Sequence, residues 1–540
     1  MTLIAVRTFD GLRPISHPRL LGESNAQVAQ NVRLISGALN ALKGTTTVKS
    51  TATGAPVTIF RYGNGASDSD YWLEFSQDTD VMRSPIADDQ WQRLYWTDGN
   101  NVPRYAPNSL IISGAAYPGG SYILGVPAPS SAPTISVYTA PPSGSVPEYR
   151  TYVYTYVTAY GEEGPPSPAS SVVQLDPTHS ATLIMSGPPG GAYNIATKRI
   201  YRSSTVGNNA QFQFVAEVAA NASSYTDSIS QSALGEVLQS ELWYGPPAGL
   251  AGLRMMANGV AVGFKGKTVY FSEPNLPHAW PNNYTIDEDI VGIATFGQSV
   301  AVLTKSFPYL MSGVDPAAMT TTKLKLSLAC SSKRSIVETD VGAIYASPQG
   351  LVSIGNGGID VISKGALSKA QWTAYNPSSM QSYQYNGLVL VMYSVSGVRG
   401  TLVFDLSGQG AAFTTTNINQ TYDITAAFYD PKSDILYMAQ NGSIIRFDQG
   451  SALTFKWRSK MYRLPRQENF GVAQVRADAY PVTLRVYRDG SLAHTQTVAS
   501  ANQFRLPSGF RALDWELEVE GSSQVTEIFM ATSSSELQSL

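Results

Sequence analysis

The stretch Asn258-Gly-Val-Ala-Val-Gly-Phe-Lys-Gly-Lys-Thr-Val-Tyr-Phe271 decides the fold. Two apolar alternating runs flank a glycine-centred turn, the pattern of a β-hairpin with one buried face. The unit returns as Gln298-Ser-Val-Ala-Val-Leu303, and as Gly342-Ala-Ile-Tyr345 with Leu351-Val-Ser-Ile354. It returns again as Asn386-Gly-Leu-Val-Leu-Val-Met-Tyr393 with Thr401-Leu-Val-Phe404, and as Asp434-Ile-Leu-Tyr-Met438 with Ser443-Ile-Ile-Arg-Phe447. Successive starts lie roughly 40 to 47 residues apart, the length of a four-stranded propeller blade. A lone hairpin cannot bury its apolar face, so such units are stable only when packed on one another. The repeat predicts a β-propeller, a scaffold before it is a catalyst.

Outside the repeat the composition points the same way. Only 14% of the 540 residues are charged, and 46 Gly and 32 Pro supply turns. No segment carries a sustained 3.6-residue apolar stripe, so the chain reads as all-β. A formal net charge of -3 gives no global attraction to nucleic acid or to acidic lipid. The single Cys330 excludes an intramolecular disulfide framework. No run of about 18 apolar residues is present, so no membrane-inserting segment is expected. The start, Met1-Thr-Leu-Ile-Ala-Val-Arg, has no secretory-signal pattern, and synthesis in a cytoplasm is the expectation.

Punctuation along the chain divides it into five parts. Residues 1–50 read as an irregular N-terminal arm, with a short helix over Asn25–Arg33. Residues 51–125 read as a first propeller or platform portion, with aromatic strands and an Asp98-Gly99 hairpin turn. The Pro-rich Gly125-Val-Pro-Ala-Pro-Ser-Ser-Ala-Pro133 opens an inserted immunoglobulin/fibronectin-like sandwich over 126–240, whose clearest strand is Tyr149–Thr158. Residues 241–450 hold the propeller blades. A C-terminal β domain over 451–540 includes Val482–Tyr487 and Trp515–Glu520.

Chemistry-bearing residues are sparse. The histidines at 17, 179, 278 and 494 have no ligand spacing. Cys330 reads as a buried thiol, Asp287-Glu-Asp289 as a solvated loop between blades, and Glu162-Glu163 as a turn. Gly355-Asn-Gly-Gly358 lies between strands, which makes it a blade turn and not a phosphate loop. No catalytic, cofactor-binding or metal-ligating set emerges, so the expectation is a protein that is not an enzyme and carries no cofactor. One cluster stands apart: Lys456, Arg458, Lys460, Arg463 and Arg466 occur with no intervening acid. On a strand Lys456, Arg458 and Lys460 share one face, opposite Trp457 and Ser459. These five are the candidate subunit-interface or channel contacts, because spaced cations can pair with a neighbour's acids or track phosphates.

Several segments, taken in order, resemble the nozzle proteins at the distal end of short-tailed bacteriophage tails. The carriers are Asn25–Arg33 with Ser36-Gly-Ala-Leu39, Asp78–Ala87, and Leu94–Gly99 through Pro103-Arg104. Tyr270-Phe-Ser-Glu-Pro274 with Ala279-Trp-Pro281, and Asp514-Trp-Glu-Leu-Glu-Val-Glu520, complete the set. The resemblance implies a virion tail protein that forms a homo-oligomeric, hexameric ring below a tail adaptor. It also implies support for tail fibres or receptor-binding proteins, and transient passage of double-stranded DNA during ejection into a bacterial host. The inserted module departs from the simplest nozzles. A carbohydrate-binding tail adhesin or fibre-attachment protein is the alternative, since aromatic-rich β modules make sugar platforms. A propeller glycosidase or lyase would have to use Asp287, Glu288 and Asp289.

Overall fold

The computed structural model describes residues 3–538 apart from 64–66, 68, 207–208, 407–411 and 510. The chain is all-β, a β-propeller with an inserted sandwich and a C-terminal β domain, and its strands pair mostly antiparallel, in many small sheets and two larger ones. Two compact units are present, one holding residues 1–77, 303–309 and 323–540, the other 78–302 and 310–322.

In the first unit the blades are consecutive meanders. One comprises Val337–Thr339, Gly342–Ser347, Gly350–Gly355 and Gly358–Val361; the next Gln381–Tyr385, Leu388–Val395, Val398–Asp405 and Phe413–Thr416. A third comprises Ile424–Asp430, Ile435–Gln440 and Ser443–Arg446, and its fourth strand is Thr46–Ser50 from the other end of the chain. Turn chemistry sets the register. At Asn386-Gly387 and Asn441-Gly442 both residues have positive φ, the type I′ geometry that matches strand twist. Each meander buries its middle strands: every residue of Gly342–Ser347 is buried, as are the first five of Leu388–Val395.

Ionic and polar ties join first strands of neighbouring blades. Arg61, on the strand Thr58–Arg61, reaches Asp430 at 2.7 Å. The Arg334 guanidinium donates to the carbonyls of Val57 and Thr425 and lies 3.5 Å from the Tyr383 hydroxyl, so one side chain spans three sheets.

The expected irregular arm is not irregular, and Asn25–Arg33 is not helical. Leu3–Val6 pairs with Val525–Ala531, and Ala26–Gln30 pairs with Phe455–Ser459. Ala and Gln favour helix in isolation, but propensity is a weak prior, and these residues find ladder partners more than 400 positions away. Ala26–Gln30 also pairs in parallel with the blade strand Phe413–Thr416. Blade and C-terminal domain thus share one ten-stranded sheet. The core below it gathers Phe9, Phe413, Trp457, Phe470 and Trp515.

The second unit holds the blades Asp80–Arg83, Leu94–Thr97, Arg104–Ala106, Tyr122–Ile123 and Ala251–Met255, Ala261–Lys265, Thr268–Phe271, Asn282–Thr285. Asp80 ties them, accepting from the Gly252 amide at 2.7 Å and pairing with Arg254 at 2.9 Å. Asp98 shapes its turn by accepting from the amides of Asn100 and Asn101. Between these blades the chain leaves to build the sandwich. One sheet is Tyr152–Thr158, Ile195–Val206 and Asn209–Ala219; the other is Thr134–Tyr138, Ala181–Ile184 and Ser224–Asp227. Tyr152, Tyr154 and Tyr156 fill its core with Leu183, Ile200 and Val215. Arg202 and Asp227, both fully buried, pair at 2.7 Å, and Tyr152 donates to the same carboxylate at 2.8 Å.

Candidate functional site: a basic strand and a buried ionic junction

The basic cluster begins on the strand Phe455–Ser459, where Phe455, Trp457 and Ser459 are buried and Lys456 and Arg458 point outward. Trp457 sits edge-on to Phe9 and donates its indole N–H to the Asp10 carbonyl at 3.1 Å, which anchors the strand. Alternation places the cations on one face, and the neighbouring strand Ala512–Gly521 alternates too, with Glu516, Glu518 and Glu520 on the facing side. The antiparallel register sets Lys456 opposite Glu520 and Arg458 opposite Glu518.

Every one of the five cations has a carboxylate partner in its own unit. Arg458 reaches Glu516 at 2.6 Å and lies over the Tyr487 ring at 3.7 Å. Lys460 reaches Glu23 at 3.0 Å, Lys456 reaches Glu520 at 3.7 Å, and Arg463 reaches Asp514 at 3.6 Å. Arg466 pairs with Glu468. The acid-free run in the sequence is therefore a compensated charge ladder in the fold, not an open positive surface. Arg466 is 82% exposed and Arg463 47%, so these two retain surface for another molecule. Lys460 and Arg463 also line an open groove of about 650 Å³ with Leu3, Arg19, Glu23 and Tyr462.

A second ionic site was invisible to spacing. Glu162 and Glu163, read from sequence as plain turn residues, are both buried. Glu162 meets Arg93 of the preceding blade at 2.6 Å, and Arg93 also holds Asp89 at 2.8 Å. The guanidinium lies beside the packed rings of Trp91 and Tyr160, 5.0 and 5.6 Å from their centroids. Burial holds the Glu162 carboxyl above its ordinary range despite Arg93. Burial also acts upward on Asp89, but hydrogen bonds from Arg93 outweigh it and that carboxyl lies below its ordinary value. Glu163 accepts from Thr155 and Tyr201 and pairs with Arg199 at 3.0 Å. The junction fastens the sandwich to the blade from which it departs. Only the non-apolar turn signal was available in sequence, because the partners lie 69 and 36 positions away.

The other singled-out residues are dispersed. Asp287 and Asp289 are exposed and Glu288 half-buried, on a loop where Lys267 donates to the Asp287 carbonyl. Cys330 is buried, and burial pushes its thiol up to about 12. His278 is buried edge-on to Trp243, and burial pushes its imidazole down to about 4. His179 is exposed beside Asp176. Among the described residues, no three His, Cys, Asp or Glu side chains are placed to hold a metal ion.

No family model matches the chain, and no curated protein matches it. Among solved structures it is similar to BBS1N in complex with ARL6DN, soaked with lead. That likeness is at 10% identity and a TM-score of 0.25, covering 58% of this chain and 92% of that one. It is also similar to Kluyveromyces lactis Hsv2, at 8% identity and a TM-score of 0.23, covering 42% of this chain and 66% of that one. At these values neither likeness carries a functional argument.

Proposed function

We propose that this chain is a structural subunit of a short-tailed phage tail nozzle. It would assemble as a cyclic homo-hexamer below a tail adaptor, conduct the genome during ejection, gate it until the receptor is engaged, and support fibres or receptor-binding proteins. The observation that supports this best is the shared ten-stranded sheet, in which Ala26–Gln30, the blade over residues 381–416 and strands of the C-terminal domain are hydrogen-bonded together. A component that transmits force between neighbours is well served by a blade and an end domain joined in one sheet. The compensated cations agree with it: a conduit for a polyanion that gripped phosphates would slow their passage, and paired lysines and arginines release few counterions. A cyclic ring needs two different, mutually complementary patches on each subunit.

Light scattering and negative-stain electron microscopy of the purified chain, alone and with the tail adaptor, test the reading. A closed six-fold ring is expected in the presence of the adaptor. A chain that stays monomeric with it overturns the proposal. A second reading, carbohydrate recognition by the sandwich, draws on Tyr149, which is 58% exposed and accepts from the Gln174 amide at 3.3 Å. Glycan-array binding by the whole chain, lost in Tyr149→Ala, would favour it.

A further inference from the structure

A cavity of about 320 Å³ lies in the first unit, where the N-terminal strands meet the blade formed by residues 381–416. Its lining is mixed, and Val32, Leu42, Leu388, Val403 and Phe413 supply the apolar part. Such a volume falls at the small end of ligand pockets, which run from roughly 300 to 1,000 Å³. The charged groups at its rim are not equivalent. Asp10 is satisfied on both oxygens, by the Gly11 amide and the Asn25 side chain, each at 2.7 Å. Arg33 is held by Asp448 at 3.0 Å, and Asp405 has an interaction of its own.

Arg13 is different. Its Nε is sealed from solvent and has no hydrogen-bond partner among the described residues, although its side chain lines the cavity. A guanidinium keeps its charge at any physiological pH, and a shielded N–H of a charged group without an acceptor is costly to maintain. A planar donor set beside apolar walls is the recognition chemistry for a carboxylate on a hydrocarbon body. Thr414 and Thr415, consecutive on the strand Phe413–Thr416, also border this space, and the Thr415 hydroxyl donates to the Ala29 carbonyl at 3.2 Å.

We infer that this cavity binds a small amphipathic monoanion, with the carboxylate on Arg13 and the apolar body against Val32, Leu42, Leu388, Val403 and Phe413. The inference goes beyond the nozzle reading and does not depend on it. Saturation-transfer NMR and calorimetry on the whole chain, with octanoate as the anionic probe and octylammonium as its cationic counterpart, provide the test. Octanoate is expected to bind and octylammonium to bind about tenfold more weakly or not at all. Arg13→Gln should weaken octanoate by about tenfold or more, while Arg19→Gln, at a separate groove, leaves it unchanged. Val403→Trp should fill the cavity and abolish binding, with circular dichroism reporting whether the fold survives. Failure of the wild-type chain to bind octanoate overturns the inference. So does equal affinity for the two probes, or unchanged affinity in Arg13→Gln, whatever the fate of the tryptophan variant.

Discussion

Replacing Arg93 with Met while leaving Asp89 and Glu162 in place strips these two carboxylates of the guanidinium they share. Their side chains are 5% and 8% exposed, so the surviving charges cannot be resolvated without opening the structure. Removing one partner from a buried ion pair typically costs about 3–5 kcal/mol. Because each 1.4 kcal/mol is about tenfold in an equilibrium, local opening should become roughly 100- to 5,000-fold more frequent. Native-state hydrogen exchange at Leu94–Thr97 and Tyr152–Thr158 reads this directly. The sandwich strands Thr134–Tyr138 and Ala181–Ile184, away from the junction, serve as the internal reference. Glu162→Gln is the discriminating companion. It keeps an acceptor for Arg93 and Thr158 but removes the charge that burial disfavours, so its exchange at pH 7 should stay within about tenfold of wild type. The linkage has a definite sign. Burial raises the folded pKa of Glu162 above its ordinary 4.5. This group's contribution is therefore full below that value and is lost as pH rises through the folded pKa. Wild type should lose stability relative to Glu162→Gln as pH climbs through that window. If Arg93→Met exchanges like wild type, or Glu162→Gln opens as readily as Arg93→Met, the electrostatic account of the junction is wrong.

Further outcomes follow from the other buried groups. His278 has a folded pKa pushed by burial from 6.5 to about 4, so it contributes stability above 6.5 that is lost as pH falls towards 4. The full loss is about 3 kcal/mol, and urea titrations across that range should show an acid slope that His278→Gln lacks; identical slopes would refute it. Cys330, with its thiol pushed up to about 12, should resist iodoacetamide in the folded chain at pH 8 and label only on denaturation. Labelling of the native protein at the rate of a free thiol would contradict the burial. In the basic cluster, Arg458→Met leaves the buried Glu516 with only the neutral Gln27 amide as a donor and should cost about 3 kcal/mol, while Arg466→Ala at an 82% exposed site should cost under about 0.5 kcal/mol. Denaturant melts of the two variants check this, and equal midpoints would show that the ladder is not structural.

What could be read before the fold was known depended on how far away the deciding partner lay. Asn386-Gly387 and Asn441-Gly442 carry their turn geometry within two residues, and the alternating runs around them show the buried face. Those signals made the blades legible. Ala26–Gln30 carried only a weak preference, and its strand state came from Phe455–Ser459 at the opposite end of the chain. The charged residues follow the same logic more sharply. Lys456, Arg458 and Lys460 look unopposed in sequence because Glu520, Glu516 and Glu23 are 64, 58 and 437 positions away, yet the fold pairs all three. Glu162 looks solvated because Arg93 belongs to a blade that precedes the whole inserted module. A charge in a β-rich chain thus becomes a candidate site through what the ladder brings opposite it, not through its sequence neighbours. By that criterion Lys456 and Arg458 are occupied within the C-terminal domain and Lys460 ties it to Glu23, while Arg463 and Arg466 stay partly exposed. Arg13, which no spacing marked, has a shielded Nε without an acceptor among the described residues; Arg61, Arg202 and Arg458 share that feature but each meets a carboxylate, whereas Arg13 lines a cavity. That contrast makes the cavity beside Phe413, and not the basic strand, the place to look first for a bound molecule.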